Sequence, residues 1–395
     1  MVTTTPNLRY ARLHDAPLIG PEGLAALHAS SVAVLGVGNV GGFLAEHLVL
    51  MGVRLLLVDK GLVEEVNLGS QAFAEEHTGV PKVVARARRL GPLNPSCRIE
   101  PVHADIRHLG LGALRDVQLV FSCLDDRAIR VVVNEIAVRL GVPWIDGAVD
   151  GSGRTFFGRV AAYDPRDEAG GCYLCPHTSG TVAQMMRQTG ETTGCAAALA
   201  IDNRTTTAPT LAVSALGAAV ASIQAAWGLG VLLHRDQAAM GREVLFDLEA
   251  GRMTSHRLVR NRRCLLDHQP YSLQPLGLSV EQATIAYTFD VAEQQLGVPV
   301  TLELHRRVMV TTLRCPICRA VRHPLRVATA ITASDLACPC GAAMHPVGTD
   351  LLERFGRDEA DRFLTRSWME IGVPASDVVV ASRGDRQLHL LLDRN

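Results

Sequence analysis

The fold is decided by one stretch of the chain, SVAVLGVGNVGG at residues 31–42, together with VRLLLVD at residues 53–59. The apolar run at 32–35 enters a glycine-rich turn that opens a helical stretch ending near Met51. Short runs of Val and Leu without polar alternation are typical of strands buried on both faces, as in a parallel sheet. This stretch therefore predicts a β-α-β unit.

The same alternation continues downstream. Apolar runs at 117–122 and 143–145 lie on either side of a helical stretch at 127–140. We therefore predict an α/β fold with a doubly wound, mostly parallel, Rossmann-like sheet in residues 1–269.

The pattern changes after about Pro270. Residues 300–310 alternate with period two, and the apolar runs at 378–381 and 388–392 flank a predicted hairpin turn. A smaller C-terminal α+β domain is expected at 270–395.

Composition narrows the functional classes. The 395 residues carry a formal net charge of −1, which argues against nucleic-acid binding by bulk electrostatics. The N-terminus has no apolar run flanked by basic residues, so no signal peptide is expected. The ten cysteines include three closely spaced pairs, which indicates metal binding in a reducing, cytoplasmic compartment. Residues 210–233 lack formal charge and predict a buried core helix, with a membrane span as the less favoured alternative.

The glycine-rich turn has the layout of a phosphate-binding loop. Gly36, Gly38 and Gly41 lie between a predicted strand and helix, and Asp59 closes the next strand 18 residues later. Glycines let the backbone approach a pyrophosphate, the helix N-terminus offers N–H donors, and an acidic residue at this distance suits a ribose hydroxyl. The loop predicts a nucleotide-binding site but does not distinguish among NAD, FAD and ATP as the ligand.

The segments around this loop narrow the choice of nucleotide. They are RYAR at 9–12, DKGLVEEVNLGSQ at 59–71, GVPK at 79–82, LNP at 93–95, and SCLDD at 122–126 with Arg130 and Asn134. As a set they resemble the superfamily of ubiquitin-activating enzymes and the sulfur-carrier adenylyltransferases of thiamine and molybdenum-cofactor synthesis. The likeness covers roughly residues 8–268 and implies a ThiF-like adenylation domain.

The resemblance implies a site for ATP and Mg²⁺. Along the nucleotide it places Gly36, Gly38 and Gly41, with Asp59 at the ribose, Asn67 and Lys82 toward the phosphates, and Asp125 at Mg²⁺. Gln71 is a further residue expected to bind the nucleotide. Acyl-adenylate formation needs positive charge where negative charge builds up at the α-phosphate. For Lys82 a surface lysine, and for Asp125 a helix N-cap, are the alternatives.

The resemblance also implies a homodimer, and it has two gaps. Arg12 matches an arginine that enters the neighbouring subunit's nucleotide site. Ser70 stands where the pattern has an arginine, and Gly61 replaces its second aspartate. Weakened or lost adenylation is therefore one of the open interpretations.

A first set of metal ligands flanks the second half of the adenylation domain. Cys172 and Cys175 form a C-x-x-C pair, and the resemblance implies a partner pair near the domain end, here Cys264 with His268. Three thiolates and one imidazole suit a closed, structural Zn²⁺ site.

A second set has the spacing of a zinc ribbon. Cys315 and Cys318 form one knuckle, and Cys338 and Cys340 form the other. A nearby histidine, His323 or His345, is an alternative to Cys340 as ligand.

Cys195 is the candidate nucleophile. Its sequence, GCAA at 194–197 followed by three threonines, resembles the cysteine loop of the compact activating enzymes of ubiquitin-fold modifiers. A thiol with a lowered pKa can attack an acyl-adenylate and carry the modifier as a thioester. A small buried cysteine is the alternative.

These features predict a two-step activating enzyme. ATP and a small ubiquitin-like or sulfur-carrier protein ending in glycine would give an acyl-adenylate, and Cys195 would pass the acyl group to a conjugating enzyme or sulfur donor. The alternatives are a non-catalytic scaffold that binds a ubiquitin-like protein, an NAD-dependent dehydrogenase, and an enzyme that adenylates a nucleoside carboxylate in tRNA. A dehydrogenase would leave Asn67, Gln71 and Lys82 without a role.

Overall fold

The structure is a computed structural model that describes residues 8–188, 213–235 and 239–393. The described residues divide into two compact units. The first unit draws on the described residues 8–107, 116–179, 213–235 and 239–270, and the second on 108–115, 180–188 and 271–393.

A mixed sheet forms the centre of the first unit. Its strands are β1 (Ser31–Leu35), β2 (Arg54–Asp59), β3 (Ile99–His103), β4 (Leu119–Ser122), β5 (Trp144–Val149), β6 (Phe157–Tyr163), β7 (Arg242–Asp247) and β8 (Arg252–Arg257). They lie in the order β3-β2-β1-β4-β5-β6-β7-β8. Strands β1 to β5 pair in parallel, and β6, β7 and β8 continue the sheet antiparallel. The predicted Rossmann-like sheet is confirmed, with an antiparallel extension.

The strand order places a crevice at the carboxyl ends of β1 and β4. The chain runs from β1 outward to β3 and then returns to β4 on the other side of β1. Ligands of open α/β sheets bind where the strand order reverses in this way. The glycine-rich turn follows β1, and the SCLDD segment spans the end of β4, so both predicted motifs lie at this point.

The helices up to residue 232 are α1 (Ala11–Asp15), α2 (Gly20–Ala29), α3 (Asn39–Leu50), α4 (Glu65–Leu68), α5 (Lys82–Leu90), α6 (Arg127–Leu140), α7 (Ser179–Gln188) and α8 (Ser214–Leu232). Helix α6 has the bounds that the sequence predicts. Asp126 caps its N-terminus by accepting from the N–H groups of Ala128 and Ile129, and Gly141 ends it with a φ of +66°.

Helix α8 is long and apolar enough to cross a membrane by length and composition alone. In the structure it packs against α3 and β5, and half of its apolar window is buried. Val220, Ala221 and Gln224 are completely buried in the first unit. This packing agrees with the predicted core helix.

The second unit is an α+β structure. Its elements are β9 (Leu273–Pro275), α9 (Ile285–Leu296), β10 (Thr301–Leu304), β11 (Met309–Val310), β12 (Leu313–Arg314), β13 (Val321–Arg322), β14 (Arg326–Val327), α10 (Ala333–Leu336), β15 (Leu351–Leu352), β16 (Arg354–Gly356), β17 (Asp377–Arg383) and β18 (Arg386–Leu392). They form sheets of order β16-β10-β17-β18-β9, β14-β11-β15 and β12-β13. The predicted hairpin is β17 and β18.

The predicted continuous alternation over residues 300–310 is wrong in one respect. The chain breaks there into β10 and β11, which belong to different sheets. Arg306 lies between them with a φ of +58°, a left-handed conformation that ends a strand.

The second unit also contains the segment His108–Arg115, which lies between β3 and β4 in the sequence. The N–H of Leu111 donates to the Asp377 carboxylate at 3.0 Å, and Arg115 pairs with Asp393 at 2.9 Å. Asp377 also forms a buried ion pair with Arg307. The second unit therefore consists of more than the residues after 270.

Candidate functional site

The glycine-rich turn is tightly packed at two of its three glycines. Gly36 has a φ of +85°, and a Cβ there would lie 2.8 Å from the carbonyl oxygen of Cys123. A Cβ at Gly41 would lie 1.9 Å from Gly36 O, so both positions require glycine for the turn itself. Gly38 differs, because its nearest neighbour, Gln71, would lie 3.4 Å from a Cβ. Its lack of a side chain leaves the backbone accessible to a ligand, as a phosphate-binding turn requires.

Asp59 holds the turn from the end of β2. Its Oδ2 accepts from the N–H of Val37 at 2.9 Å, and its Oδ1 accepts from the N–H of Gly61 at 2.7 Å. A carboxylate has about four acceptor positions, so these two bonds leave capacity for a ribose hydroxyl.

The segment with Asn67 and Gln71 lies beside the turn. Asn67 accepts from the N–H of Glu64 at 3.0 Å through Oδ1, which leaves its amide group as the donor of that side chain. The Gln71 Oε1 is buried and has no hydrogen-bond partner among the described residues. Because buried acceptors are normally paired, this atom marks a place for a donor on a ligand.

Lys82 begins α5, and its methylene groups run past Gly61. A Cβ built at Gly61 would lie 3.4 Å from the Cδ and Cε of Lys82 and 3.1 Å from the Oδ1 of Asp59. The side chains of Lys82 and Asp59 therefore both border Gly61. Gly61 replaces the second aspartate of the pattern at this position.

Asp125 follows β4 and is exposed. The neighbouring Asp126, and not Asp125, caps α6. The helix-cap alternative for Asp125 is therefore wrong. The side chain of Leu124, next to Asp125, would lie 3.1 Å from a Cβ at Gly36, so this segment borders the glycine-rich turn.

Arg130 holds this segment in position from α6. Its guanidinium donates to the carbonyl oxygen of Leu124 and forms an ion pair with the buried Asp146 at 3.0 Å. Asp146 also accepts from Ser122 Oγ at 2.8 Å and from Arg159 at 2.6 Å. The two arginines neutralise a carboxylate that is completely buried, and the network fixes the end of β4.

Two other motif residues make structural contacts. Asn94 donates to the hydroxyl of Tyr10 and to the carbonyl oxygen of Val49, both at 2.7 Å. Asn134 accepts from the N–H of Tyr173 at 2.9 Å, which ties α6 to the Cys172 knuckle. These residues carry the resemblance because they hold the fold together around the site.

Two predicted catalytic residues remain, Arg12 and Cys195. Arg12 is exposed on α1 within the chain. Cys195 lies outside the described residues.

Sequence reasoning missed Arg86, which contacts the glycine-rich turn through the carbonyl oxygen of Val37. It lies on the buried face of α5 with Val83 and Leu90. A charged residue at a core-facing position of a helix was the available signal, since arginine is almost never buried without a partner.

The four residues Cys172, Cys175, Cys264 and His268 form a cluster that can hold a metal ion, named the mixed cluster here. The Sγ atoms of Cys172 and Cys264 are 3.8 Å apart, and His268 Nε2 lies 3.6 Å from Cys175 Sγ. Metal–sulfur bonds of about 2.3 Å in a tetrahedron place two sulfurs roughly 3.8 Å apart, so the geometry fits. Hydrogen bonds from the Cys172 thiol and from backbone N–H groups lower the pKa of Cys175 to about 4.

A second group in the described part of the chain can hold a metal ion, and we name it the four-cysteine cluster. It consists of Cys315, Cys318, Cys338 and Cys340. Its sulfurs lie 3.4 Å apart for Cys315 with Cys340 and for Cys318 with Cys338. The N–H of Cys318 lowers the pKa of Cys315 to about 6. The geometry supports Cys340, and not a histidine, as the fourth member.

The described cysteines outside these clusters do not have the features of a nucleophile. Burial raises the pKa of both Cys97 and Cys123. Both thiols pack against the core of the first unit. Such cysteines behave as small hydrophobic residues.

Comparison with known proteins places this arrangement in a family. Residues 10–266 match the ThiF family. The chain belongs to the ThiF family. The predicted resemblance is therefore confirmed, and the match ends before the second unit's main segment begins at Tyr271.

Relatives of this ThiF protein are named for carrier activation. It is 33% identical over 267 residues to the sulfur carrier protein adenylyltransferase of Thermus thermophilus, covering 65% of this chain and 89% of that protein. It is 27% identical over 242 residues to the SAMP-activating enzyme E1 of Haloferax volcanii, covering 60% and 80%. A shorter match, 31% over 160 residues, is to the ubiquitin-like modifier-activating enzyme 5 of Oryza sativa subsp. japonica, covering 37% of each. The predicted class of enzyme, an adenylyltransferase of the activating type, is confirmed.

Solved structures show the same fold. A crystal structure of E. coli MccB with ATP superposes with a TM-score of 0.52 at 19% identity, covering 67% of this ThiF chain and 74% of the MccB chain.

Proposed function

We propose that this protein adenylates the C-terminal glycine carboxylate of a small ubiquitin-like or sulfur-carrier protein with ATP. The observation that carries the proposal is the set of groups around one turn: the open backbone at Gly38, the unpaired Gln71 Oε1, and Lys82 beside Asp59. The names of the relatives, which include a sulfur carrier protein adenylyltransferase, support the same substrate class.

The chemistry assigns a role to each group. The carrier carboxylate attacks the α-phosphate of ATP, an acyl–phosphate bond forms, and the bond to pyrophosphate breaks. Lys82 and the amide of Asn67 offset the negative charge that develops on the phosphates, and the turn and helix α3 provide N–H donors. Asp125 is the residue that would hold Mg²⁺, which neutralises phosphate charge when bound. Gln71 and Asp59 accept from the donors of the nucleoside.

A second step transfers the acyl group to a thiol. In this proposal the Cys195 thiolate attacks the acyl-adenylate, a thioester forms, and AMP leaves. A conjugating enzyme or sulfurtransferase then takes the carrier. The protein acts in the cytoplasm as a homodimer, in which Arg12 of one subunit reaches the nucleotide of the other.

Both metal clusters hold Zn²⁺ in this proposal. Sulfur donors with one imidazole, or four sulfurs, suit zinc and form closed tetrahedral sites without an open position. Their role is structural.

A scaffold that binds a carrier without turnover is the second candidate. Ser70 favours it, because the polar hydroxyl supplies no charge where the resemblance has an arginine.

The test is ATP–pyrophosphate exchange with a Gly-ending carrier, followed by intact-mass spectrometry before and after thiol treatment. Lys82→Met should lower exchange by about 100-fold, which is typical for loss of one electrostatic contact in phosphoryl chemistry. Lys60→Met is the matched control, since Lys60 pairs with Asp105 at 3.1 Å, and it should change exchange less than about threefold.

The mass measurement separates the two steps. A thiol-labile adduct that is absent in Cys195→Ala and present in Cys97→Ala supports the thioester step. Exchange without an adduct means that the reaction stops at the adenylate, and a carrier that binds without exchange favours the scaffold.

A further inference from the structure

Arg86 lies against the inner side of the glycine-rich turn and is almost completely buried. It is 1% exposed, although it lies in the amphipathic helix α5, whose neighbouring Arg88 and Arg89 are exposed. Burying a guanidinium is costly, so such a residue needs a structural or functional reason.

The guanidinium joins two segments of the nucleotide site. Its Nη2 donates to the carbonyl oxygen of Val37, in the turn, at 3.2 Å and to that of Gln71 at 2.7 Å. The Cζ atom of the guanidinium lies 4.3 Å from the centre of the Phe73 ring, which adds a cation–π contact. One side chain thus fixes the turn relative to the segment that carries Asn67 and Gln71.

The contact with Val37 also sets the direction of the next N–H group. The N–H of Val37 is held by Asp59, and its carbonyl oxygen is held by Arg86. In a planar trans peptide the C=O and the following N–H point in opposite directions. The N–H of Gly38 therefore points away from Arg86, and Gly38 is the partly exposed glycine of the turn.

The room for the guanidinium comes from Gly42 in α3. A Cβ at Gly42 would lie 2.3 Å from the Nη2 of Arg86 and 2.5 Å from its Cζ. Glycine inside a helix is unfavourable relative to alanine, so this position serves the arginine and not the helix.

Arg86 forms no direct ion pair with a described residue, and Glu46 and Asp59 attract its charge only from a longer distance. Burial lowers its pKa to about 10, which still leaves it charged at neutral pH. A buried cation without a direct ion-pair partner is unfavourable, and an anion bound on the other side of the turn would offset that cost. A nucleotide phosphate has this property.

We propose that Arg86 is a positioning residue of the nucleotide site, which directs the Gly38 N–H toward the phosphates of ATP and supplies a buried positive charge behind the turn. The inference rests on the nucleotide site of the proposed function. It predicts that Arg86 and Gly42 act as a pair, and that they affect binding of phosphate groups and not of the nucleoside.

The test measures dissociation constants for ATP and for adenosine by calorimetry on the full chain. Arg86→Met keeps the volume and the contact with Phe73 and removes the charge and the hydrogen bonds. It should weaken the binding of ATP about 10- to 100-fold, which is the range for a charged hydrogen bond. The binding of adenosine should weaken less than about threefold. Gly42→Ala should weaken the binding of ATP in the same way. The dissociation constant of Arg86→Lys for ATP should lie between those of Arg86→Met and the wild type. Arg88→Met removes an exposed charge from the same helix and should leave both constants unchanged within about twofold.

Three results would overturn the proposal. They are an unchanged ATP constant in Arg86→Met, an equal loss of ATP and adenosine in that variant, and a wild-type protein without affinity for ATP. If Arg86→Met does not fold, as judged by circular dichroism, Gly42→Ala and Arg86→Lys decide the same question. A wild type that binds ATP with the predicted dependence on Arg86 but activates no carrier would contradict the proposed function and leave the role of Arg86 intact.

Discussion

The mixed cluster and the four-cysteine cluster use similar ligands for different structural purposes. In the mixed cluster, Cys172 and Cys264 are 92 residues apart, and three of the four members are buried. In the four-cysteine cluster, Cys318 and Cys338 are 20 residues apart, and both Cys318 and Cys340 are exposed. The first closes a long excursion of the chain, and the second organises a local ribbon.

The difference in loop length between the two clusters corresponds to a difference in the chain entropy of the unfolded state. The cost of closing a loop rises with the logarithm of its length, so a bridge over 92 residues restricts the unfolded chain by roughly 1 kcal/mol more than one over 20. The loop from Cys175 to Cys264 also contains α8, β7 and β8, which complete the core and the sheet of the first unit. The mixed cluster should therefore affect the adenylation site through the fold, although none of its residues belongs to the glycine-rich turn.

The largest effect is expected from Cys264→Ala. Loss of one thiolate from a closed site releases the metal and, with it, a large part of its folding free energy, which amounts to several kcal/mol or more in structural zinc sites. Zinc content should fall from two ions to one per chain by elemental analysis. The unfolding midpoint of the first unit in urea and the rate of pyrophosphate exchange should both drop strongly.

Cys97→Ala is the control for this change. It removes a half-buried thiol outside both clusters, and the expected cost is about 1 kcal/mol or less without loss of zinc. If Cys264→Ala keeps two zinc ions and wild-type exchange, the proposed role of the mixed cluster is excluded.

A smaller effect on activity is expected from Cys338→Ala. This change should release the second zinc and loosen β12 and β13, together with the small apolar cluster that contains Leu313 and Met344. The remaining core of the second unit is a separate cluster around Phe289 and Trp368. Pyrophosphate exchange should stay within about twofold of the wild type, while hydrogen exchange of the ribbon amides should rise.

A strong loss of exchange in Cys338→Ala would contradict the different roles given to the two clusters. If Cys338→Ala abolishes exchange as fully as Cys264→Ala, the ribbon is part of the catalytic machinery, and the local role given to it here is wrong.

The sequence predicted those parts of the molecule whose signals are local. Helix α6 has its predicted bounds, and the residues that end it in the structure, Asp126 and Gly141, lie within the same short segment. The four-cysteine cluster was predicted from the spacing of its cysteines, whereas spacing marked only Cys172 and Cys175 of the mixed cluster and the resemblance supplied Cys264 and His268.

Long-range contacts were not predictable in the same way. The membership of residues 108–115 in the second unit depends on Asp377, 266 residues after Leu111. The role of Arg86 depends on carbonyl oxygens 49 and 15 residues away and on the space at Gly42. No periodicity or motif encodes such pairs, because each contact joins separate segments of the chain.

The accessibility of the two clusters gives a further prediction. Cys318 and Cys340 are exposed, whereas Cys172, Cys175 and His268 are buried. A chelator with a coloured zinc complex should therefore remove one equivalent of zinc quickly and the second slowly, at a rate limited by opening of the first unit. In Cys338→Ala only the slow phase should remain, and a single rate in the wild type would contradict the assignment.

The smallest effect is expected from His268→Asn, which tests the one ligand that is not a thiolate. His268 has a φ of +59°, a left-handed conformation that asparagine adopts at little cost, so the change removes the imidazole without straining the backbone. Three thiolates remain, and a water can complete the tetrahedron as it does in zinc sites with three protein ligands, so zinc should stay bound with reduced affinity. Cobalt substitution provides the measurement, because the thiolate charge-transfer absorption reports three sulfurs in both proteins, whereas the visible ligand-field bands shift when nitrogen is replaced by oxygen. If those bands are unchanged in His268→Asn, the imidazole is not a ligand, and the contrast between a mixed and an all-sulfur site would have to be abandoned.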